Sequence, residues 1–426
     1  MATPERRHDE PSRLMTFVSI LKKFIGHPDI ATARFSLPAQ LLEPIPNLEF
    51  WNYLDRPDAF ISMGKSDDEL GRMLEVLRFW FTKDIKYVKG KPCKPYNSVL
   101  GEFFRCNWEV QDSFPPISTC YDSSQPVNGV HTADATAGDR ETVEIASITE
   151  QTSHHPPVSA FYVDCPQRGI VARGFDQISA KFTGASVRIS PGQHNMGIFV
   201  TLKERDNEEY QLTHPAAHVN GFLRGALSVS VSDTCYVVCP QTRIKAILQY
   251  MEEGWLSNRS HPHRVVGVVF RYDPAHDTCT RIKEVPDDDV MARIEGNWHE
   301  QVYYTLSGST ERQLLIDIVP LYPAPKLVPP DELQLPNESR RFWGDITKAI
   351  LARQYGLATR LKHELEERQR QKAARRKERG ETWRPRFFVC PVNPTGKPEL
   401  TEEGRLALQK LHNRDFYLEE SKDYGA

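Results

Sequence analysis

From residue 143 to about 320 the chain consists of short apolar/polar alternating runs with turn residues between them, a pattern that constrains the fold more than any other feature. Residues 158–163, 169–173, 197–202, 236–238, 265–270 and 302–306 are examples. Successive side chains of a strand point to opposite faces, so alternation with period two reads as a strand. Many such strands at short spacing, without long helical patterns among them, predict a large antiparallel barrel or sandwich. A barrel of many strands is wide enough to enclose an apolar ligand.

Helical periodicity lies towards the two ends. Residues 1–11 are mostly charged or polar and are expected to be disordered. Ser12 is placed to cap a helix over about 13–26, in which Leu14, Phe17, Val18, Leu21, Phe24 and Ile25 follow i, i+3, i+4, i+7 spacing. Arg13, Lys22 and Lys23 give it a basic edge, and Gly26 with Pro28 ends it. Such a helix either packs into a core or lies against a membrane or ligand as an amphipathic lid. Glu49-Phe50-Trp51 opens a short helix. Ser66-Asp67-Asp68-Glu69 caps a longer one, with Leu70, Met73, Leu74, Leu77 and Trp80 on one side for core packing. Residues 111–141 are rich in Ser, Pro, Asp, Thr and Gly and are expected to form a disordered loop. A proline-rich crossing from Pro320 to Pro336 leads to a helix near 337–346 and a highly charged one over about 356–379. Lys362, Glu366 and Arg370 share one face of the latter, which on spacing alone is a solvated ion-pair ladder.

Composition closes several functional classes. With 54 basic against 57 acidic residues, a net charge of -3 gives no basis for nucleic-acid binding. Eight scattered cysteines in 426 residues do not form a disulfide framework and point to a reducing compartment. No apolar run approaches the roughly 18 residues that a spanning helix needs. A soluble, cytosolic protein is expected.

The most distinctive stretch is Glu150-Gln151-Thr152-Ser153-His154-His155-Pro156-Pro157. Val143 and Ile145, then Ser147 and Thr149, read as a strand running into it. The prolines hold His155 out of any continuing helix, at a strand end or tight turn. Two imidazoles with near-neutral pKa values at a rigid strand end suit an anion such as a phosphate monoester; the plain alternative is a structural turn with hydrogen-bonded histidines. Adjacent histidines do not easily chelate one ion, and Cys-x-x-Cys is absent, so no metal is expected. Ser153 lacks the Gly-x-Ser-x-Gly elbow of a nucleophile, so no catalytic residue is expected either. Earlier, Lys94 and Asn97 flank a proline turn where an ammonium and an amide can both meet a phosphate. Glu102-Phe103-Phe104 lies in an alternating strand pattern and is rejected as a docking motif.

The octapeptide resembles the fingerprint of the oxysterol-binding protein family of lipid-transfer proteins. The stretch from Lys91 to Glu102 resembles the family's Lys-Pro-x-Asn-Pro-x-Leu-Gly-Glu, with Ser98 where proline is usual. Gly296-Asn297-Trp298 resembles a family Gly-x-Trp, and Trp383-Arg384-Pro385-Arg386-Phe387-Phe388 closes a resemblance running from about 12 to 390. It implies a short, fungal-type form without a pleckstrin-homology domain. The implied fold is mostly β with α additions: an incomplete large antiparallel β-barrel around a lipid tunnel, N-terminal lid and helices, and a C-terminal helical subdomain. In this chain that gives a lid at 12–34, helices at 45–83, the barrel at 94–320 with 111–141 inserted, the subdomain at 337–390 and an extension at 391–426.

By the same resemblance, Lys94, Asn97, His154, His155, Lys362, Glu366 and Arg370 bind a phosphoinositide headgroup, while Leu14, Phe17, Leu21, Phe24, Ile25 and Trp51 line the lid and tunnel. The implied function is exchange of a sterol for phosphatidylinositol 4-phosphate between membranes, without catalysis, metal or cofactor. Residues 174–183 resemble the sterol-binding members, with Asp176 in place of their asparagine. The alternatives are a phosphatidylserine/phosphatidylinositol 4-phosphate exchanger or a phosphoinositide-regulated sensor or scaffold. The implied partners are lipid cargo and membrane surfaces, met as a monomer in the cytoplasm at contacts among Golgi, endoplasmic reticulum and plasma membrane.

Overall fold

The computed structural model describes residues 42–83, 85–90, 94–119, 142–184, 186–221, 228–251 and 263–420, together with 19, 20, 22, 23, 26, 28 and 29. The helices described before the sheet are α1 (Asn47–Phe50), α2 (Pro57–Ile61), α3 (Glu69–Thr82) and α4 (Ile85–Lys89). Sixteen strands follow: β1 (Phe103–Gln111), β2 (Thr142–His154), β3 (Pro157–Cys165), β4 (Ile170–Asp176), β5 (Ile178–Phe182), β6 (Val187–Pro191), β7 (Ile198–Leu202) and β8 (Glu208–Leu212). The rest are β9 (Ala217–Asn220), β10 (Ser228–Val231), β11 (Thr234–Cys239), β12 (Ile244–Tyr250), β13 (Arg264–Arg271), β14 (Val290–Asn297), β15 (Gln301–Leu306) and β16 (Gln313–Asp317). The C-terminal helices are α5 (Ser339–Phe342), α6 (Gly344–Leu351), α7 (Tyr355–Arg379) and α8 (Glu402–His412).

Twelve strands form one antiparallel sheet in the order β1-β2-β3-β4-β7-β8-β11-β12-β13-β14-β15-β16, and β10-β9-β6-β5 form a smaller one. Inward residues from both ends of the large sheet, Trp108 on β1 and Leu315 on β16, share a core with Tyr210 and Leu248 from its middle. Only a sheet wrapped round on itself brings its two edges into one core. Because β1 and β16 do not pair, the barrel is open, as the family resemblance implies. Gly296 allows the tight β14–β15 hairpin: at φ +157° a Cβ there would stand 2.2 Å from the Gln301 carbonyl oxygen.

Helix α3 is capped by the Asp68 carboxylate, which accepts from the Gly71 N–H at 2.7 Å. The sequence predicts an amphipathic helix, but every residue from Leu70 to Thr82 is buried. Its charged residues are therefore neutralised inside: Arg72 pairs with Glu208, and Glu75 accepts from the Gly64, Lys65 and Ser66 main chain. Ser66 also donates to the Ile117 carbonyl, and Arg78 donates to that of Pro115. These bonds correct the start of the expected 111–141 loop. Gln111 ends β1, and 112–119 are held against α3 by polar contacts that composition does not reveal; 120–141 lie outside the described residues.

Strand β2 is buried on both faces, with Val143 and Ile145 in the barrel core and Ala146 and Ile148 in a second cluster outside it. That outer cover is Phe387, Phe388, Leu408 and Leu411. The segment read as an extension past 390 is thus part of the same body, with α8 capped by Thr401. Phe103 and Phe104 are buried on β1, consistent with their rejection as a docking motif. The six cysteines among the described residues are free thiols.

Candidate functional site

Strand β2 delivers the double-histidine stretch, and β3 returns from Pro157 after a two-residue turn with a cis His155–Pro156 bond. Plain alternation would send His154 and His155 to opposite faces. A bulge between Gln151 and Ser153 shifts the register at the strand end, and a bulge re-aims the side chains beyond it. The two rings end edge to face with centroids 4.7 Å apart.

The strand end is fixed from behind by groups the sequence reading left without a role. The buried Glu150 carboxylate accepts from the Arg386 and Phe387 N–H groups at 2.8 and 2.9 Å. Thr152 donates to the Pro391 carbonyl at 2.7 Å. Gln151 and the Gly101–Glu102 turn exchange main-chain bonds of 2.8 and 3.0 Å. Glu102, fully buried, accepts from Val99 N–H, Ser339 hydroxyl and Trp343 indole N–H at 3.0, 2.7 and 3.0 Å. Burial pushes both carboxyls up to about 7, against the pull of these donors. For Glu150 the available signal was an acidic residue between a strand pattern and a histidine pair.

The turn holding Lys94 is pinned by the Glu43 N–H to the Lys94 carbonyl and by Tyr96, whose ring stacks on Trp343 at 4.6 Å. Lys94 Nζ donates to Asn97 Oδ1 at 2.7 Å, so Asn97 orients the ammonium on an exposed rim. Ser98, in the position where proline is usual, is buried, and its main chain acts to raise the pKa of the His154 imidazole. On α7, Lys362 is buried and donates to Glu366 at 2.6 Å, while Arg370 lies 3.8 Å from Glu366 and donates to Glu367 at 3.1 Å.

His154 joins these parts. Partial desolvation in the rim lowers its pKa, and the neighbouring His155 adds to this. The Ser98 main chain and the negative charge of Glu366 pull the other way. Three stretches far apart in sequence, around Lys94, His154 and Glu366, therefore meet at one rim. Around Glu366 lie the Lys362 ammonium and the Arg370 guanidinium, and its charge reaches the His154 imidazole, which has His155 beside it; cations of these kinds bind phosphate.

The lid residues Leu14, Phe17, Leu21, Phe24 and Ile25 lie outside the described residues. Two described residues near them make contacts with the rest of the protein. Ile20 packs on the cluster of Tyr96, Trp343 and Leu365, and the Asp29 carboxylate accepts from Ala180 N–H on β5 at 2.9 Å. Trp51 is half-buried against Phe50 and Tyr87. In the 174–183 segment, Asp176 accepts from the Tyr53 hydroxyl at 2.5 Å and from Asn195 at 3.3 Å. Among the described residues no cluster of His, Cys, Asp and Glu is placed to hold a metal, and no helix is long and apolar enough to cross a membrane.

The family model described as oxysterol-binding protein matches residues 16–405. Oxysterol-binding protein-like protein 1 of Schizosaccharomyces pombe is 42% identical over 481 residues, spanning 96% of this chain and 92% of that protein. Human oxysterol-binding protein-related protein 9 is 30% identical over 357 residues, spanning 83% of this chain but 44% of that protein. Among solved structures, the Osh1 ORD domain in complex with cholesterol aligns over 99% of this chain and 92% of its own, with TM-score 0.64 and 20% identity. The Osh3 ORD in complex with PI(4)P from Saccharomyces cerevisiae aligns over 96% of this chain and 94% of its own, with TM-score 0.62 and 16% identity. At these identities the structures establish the fold, a large antiparallel sheet with helices of the ORD type. The family match over 16–405 establishes more: this chain belongs to the oxysterol-binding protein family, whose members bind and transfer lipids rather than catalyse reactions.

Proposed function

We propose that this protein exchanges a sterol for phosphatidylinositol 4-phosphate between two membranes. What supports this reading is that Ser98, next to the turn carrying Lys94, and Glu366, which pairs Lys362 and Arg370, both act on His154, whose ring lies against that of His155. A phosphate monoester carries up to two negative charges and three acceptor oxygens, which ammonium, guanidinium and imidazolium donors match. Glu366 holds Lys362 and Arg370 in place and balances their charge. Inside the barrel, an apolar cargo leaves water at about 25 cal/mol per Å² of buried apolar surface. Headgroup at the rim and cargo in the barrel exclude each other, so removal of the phosphoinositide at one membrane makes the exchange directional. The protein works as a monomer in the cytoplasm, touching membranes only at their surface.

The test is extraction from vesicles containing sterol, phosphatidylserine and phosphatidylinositol 4-phosphate, with the soluble complex read by mass spectrometry. Sterol plus phosphoinositide is the expected result. Phosphatidylserine in place of sterol overturns the cargo assignment and leaves the headgroup site standing; no bound lipid overturns both and favours a sensor or scaffold.

A further inference from the structure

Helix α7 changes character along its length. Its buried residues are Ala358, Lys362 and Leu365, and nothing beyond Leu365 is buried. The acids Glu364, Glu366 and Glu367 fall in the first part, where Arg360, Lys362 and Arg370 pair with them. From Arg368 to Arg379 there are seven arginines and lysines against one glutamate, Glu378. Four of the seven, Arg368, Lys372, Arg375 and Arg379, recur at i, i+4, i+7 and i+11, so they form one stripe. The stripe is about 16 Å long at the usual rise of an α-helix. Among the described residues, Arg368, Lys372 and Arg375 have no acidic partner, and Arg379 reaches only the exposed Glu381 at 3.6 Å.

Like charges at i, i+3 and i+4 work against a helix, and the dipole at the C-terminal end relieves only the last turn. A stripe whose first three cations have no acidic partner among the described residues is complementary to an extended anionic surface. We propose that Arg368, Lys372, Arg375 and Arg379 dock the protein on a membrane bearing anionic lipid, with the second half of α7 lying along the lipid surface. The inference rests on the headgroup reading: the helix that carries Lys362 and Arg370 must come to a membrane each time a phosphoinositide is loaded. A nucleic acid fits less well, because the stripe has no aromatic side chain between its cations on which bases would stack.

The test replaces all four residues (R368Q, K372Q, R375Q, R379Q) in the full chain; glutamine keeps helix propensity and removes charge. Co-sedimentation with phosphatidylcholine vesicles, with and without phosphatidylserine, is measured at low and high salt. Each basic residue near an anionic surface contributes roughly five-fold to partitioning, so the variant is expected to lose roughly a few hundred-fold of its phosphatidylserine-dependent binding. The wild-type preference is expected to fade as salt rises. Binding of soluble short-chain phosphatidylinositol 4-phosphate is measured in parallel and should be unchanged, which separates docking from the headgroup site. Undiminished vesicle binding by the variant, a wild type indifferent to phosphatidylserine, or tighter binding to a single-stranded oligonucleotide than to the vesicles would overturn the proposal. If the short-chain lipid binds neither protein while docking behaves as expected, the headgroup reading fails and the docking surface stands.

Discussion

The Lys362–Glu366–Arg370 trio makes an expectation in which removing two charged residues harms binding less than removing one. The trio carries a net charge of one positive unit, with Lys362 Nζ at 2.6 Å and Arg370 at 3.8 Å from Glu366. Lys362→Ala removes a charge-assisted donor, a loss of about 1.5–3 kcal/mol. It also leaves Glu366 facing the incoming phosphate. Two like unit charges about 6 Å apart repel by about 3 kcal/mol at an effective dielectric constant near 20, part of which Arg370 still offsets. The single variant should therefore lose about 3–5 kcal/mol, a factor of roughly 10² to 10⁴ in affinity. Lys362→Ala with Glu366→Ala restores the positive unit on Arg370, and should lose only the donor, roughly 10- to 150-fold. Glu366→Ala alone should stay within about ten-fold of wild type, since it removes a holder and a repulsive charge together. The assay is calorimetric titration with short-chain phosphatidylinositol 4-phosphate, with a thermal melt to show that each variant is folded. If Glu366→Ala loses as much as Lys362→Ala and the double variant is no better, Glu366 contacts the headgroup itself, and its assignment as counter-ion is wrong.

His154→Ala with His155→Ala should abolish phosphoinositide extraction while sparing sterol uptake; equal loss of both ligands by a folded variant would remove the pair from the headgroup site. Because burial lowers the pKa of His154, a bound phosphate should draw a proton onto it, so affinity should rise as pH falls through neutrality, with proton uptake visible by calorimetry in buffers of different ionisation enthalpy. Glu102 and Glu150, at about 7, sit above the ordinary carboxylate value of 4.5, so the folded state keeps protons that the unfolded chain has released between those values. Stability should therefore be highest on the acid side of that window and fall as pH rises through it, by at most about 1.4 kcal/mol per pH unit per group. Urea melts at several pH values should show a flatter slope for Glu150→Gln. Arg105→Ala strands Glu338, its partner in a pair 0% and 1% exposed, and should cost about 3–5 kcal/mol in urea unfolding. A loss under about 1 kcal/mol would mean that Glu338 simply takes up a proton, towards which its raised pKa already leans.

The chain by itself determined the class of fold and the parts of the site. Period-two alternation is imposed by the geometry of a half-buried strand, so β3, β7, β13 and β15 were visible in the order of the residues. The charged helix α7 was visible for the same kind of reason, and its bounds lie within a residue of the expected ones. Lys94 and His154 could be singled out because each stands in a stretch whose residue types suit an anion, whereas only the family resemblance singles out Lys362. What only the tertiary structure decided is what covers each surface and which distant groups meet. Helix α3 looks amphipathic, yet it is buried all round because the sheet closes over it; β2 is buried twice because the segment from Phe387 to Leu411 lies on its outer face. Glu102 and Glu150 read as motif letters, and only burial made them clamps. Local pattern reports what one residue asks of its own element. Burial, pairing and the meeting of Ser98, His154 and Glu366 depend on chain brought together across long loops, and no local period encodes that.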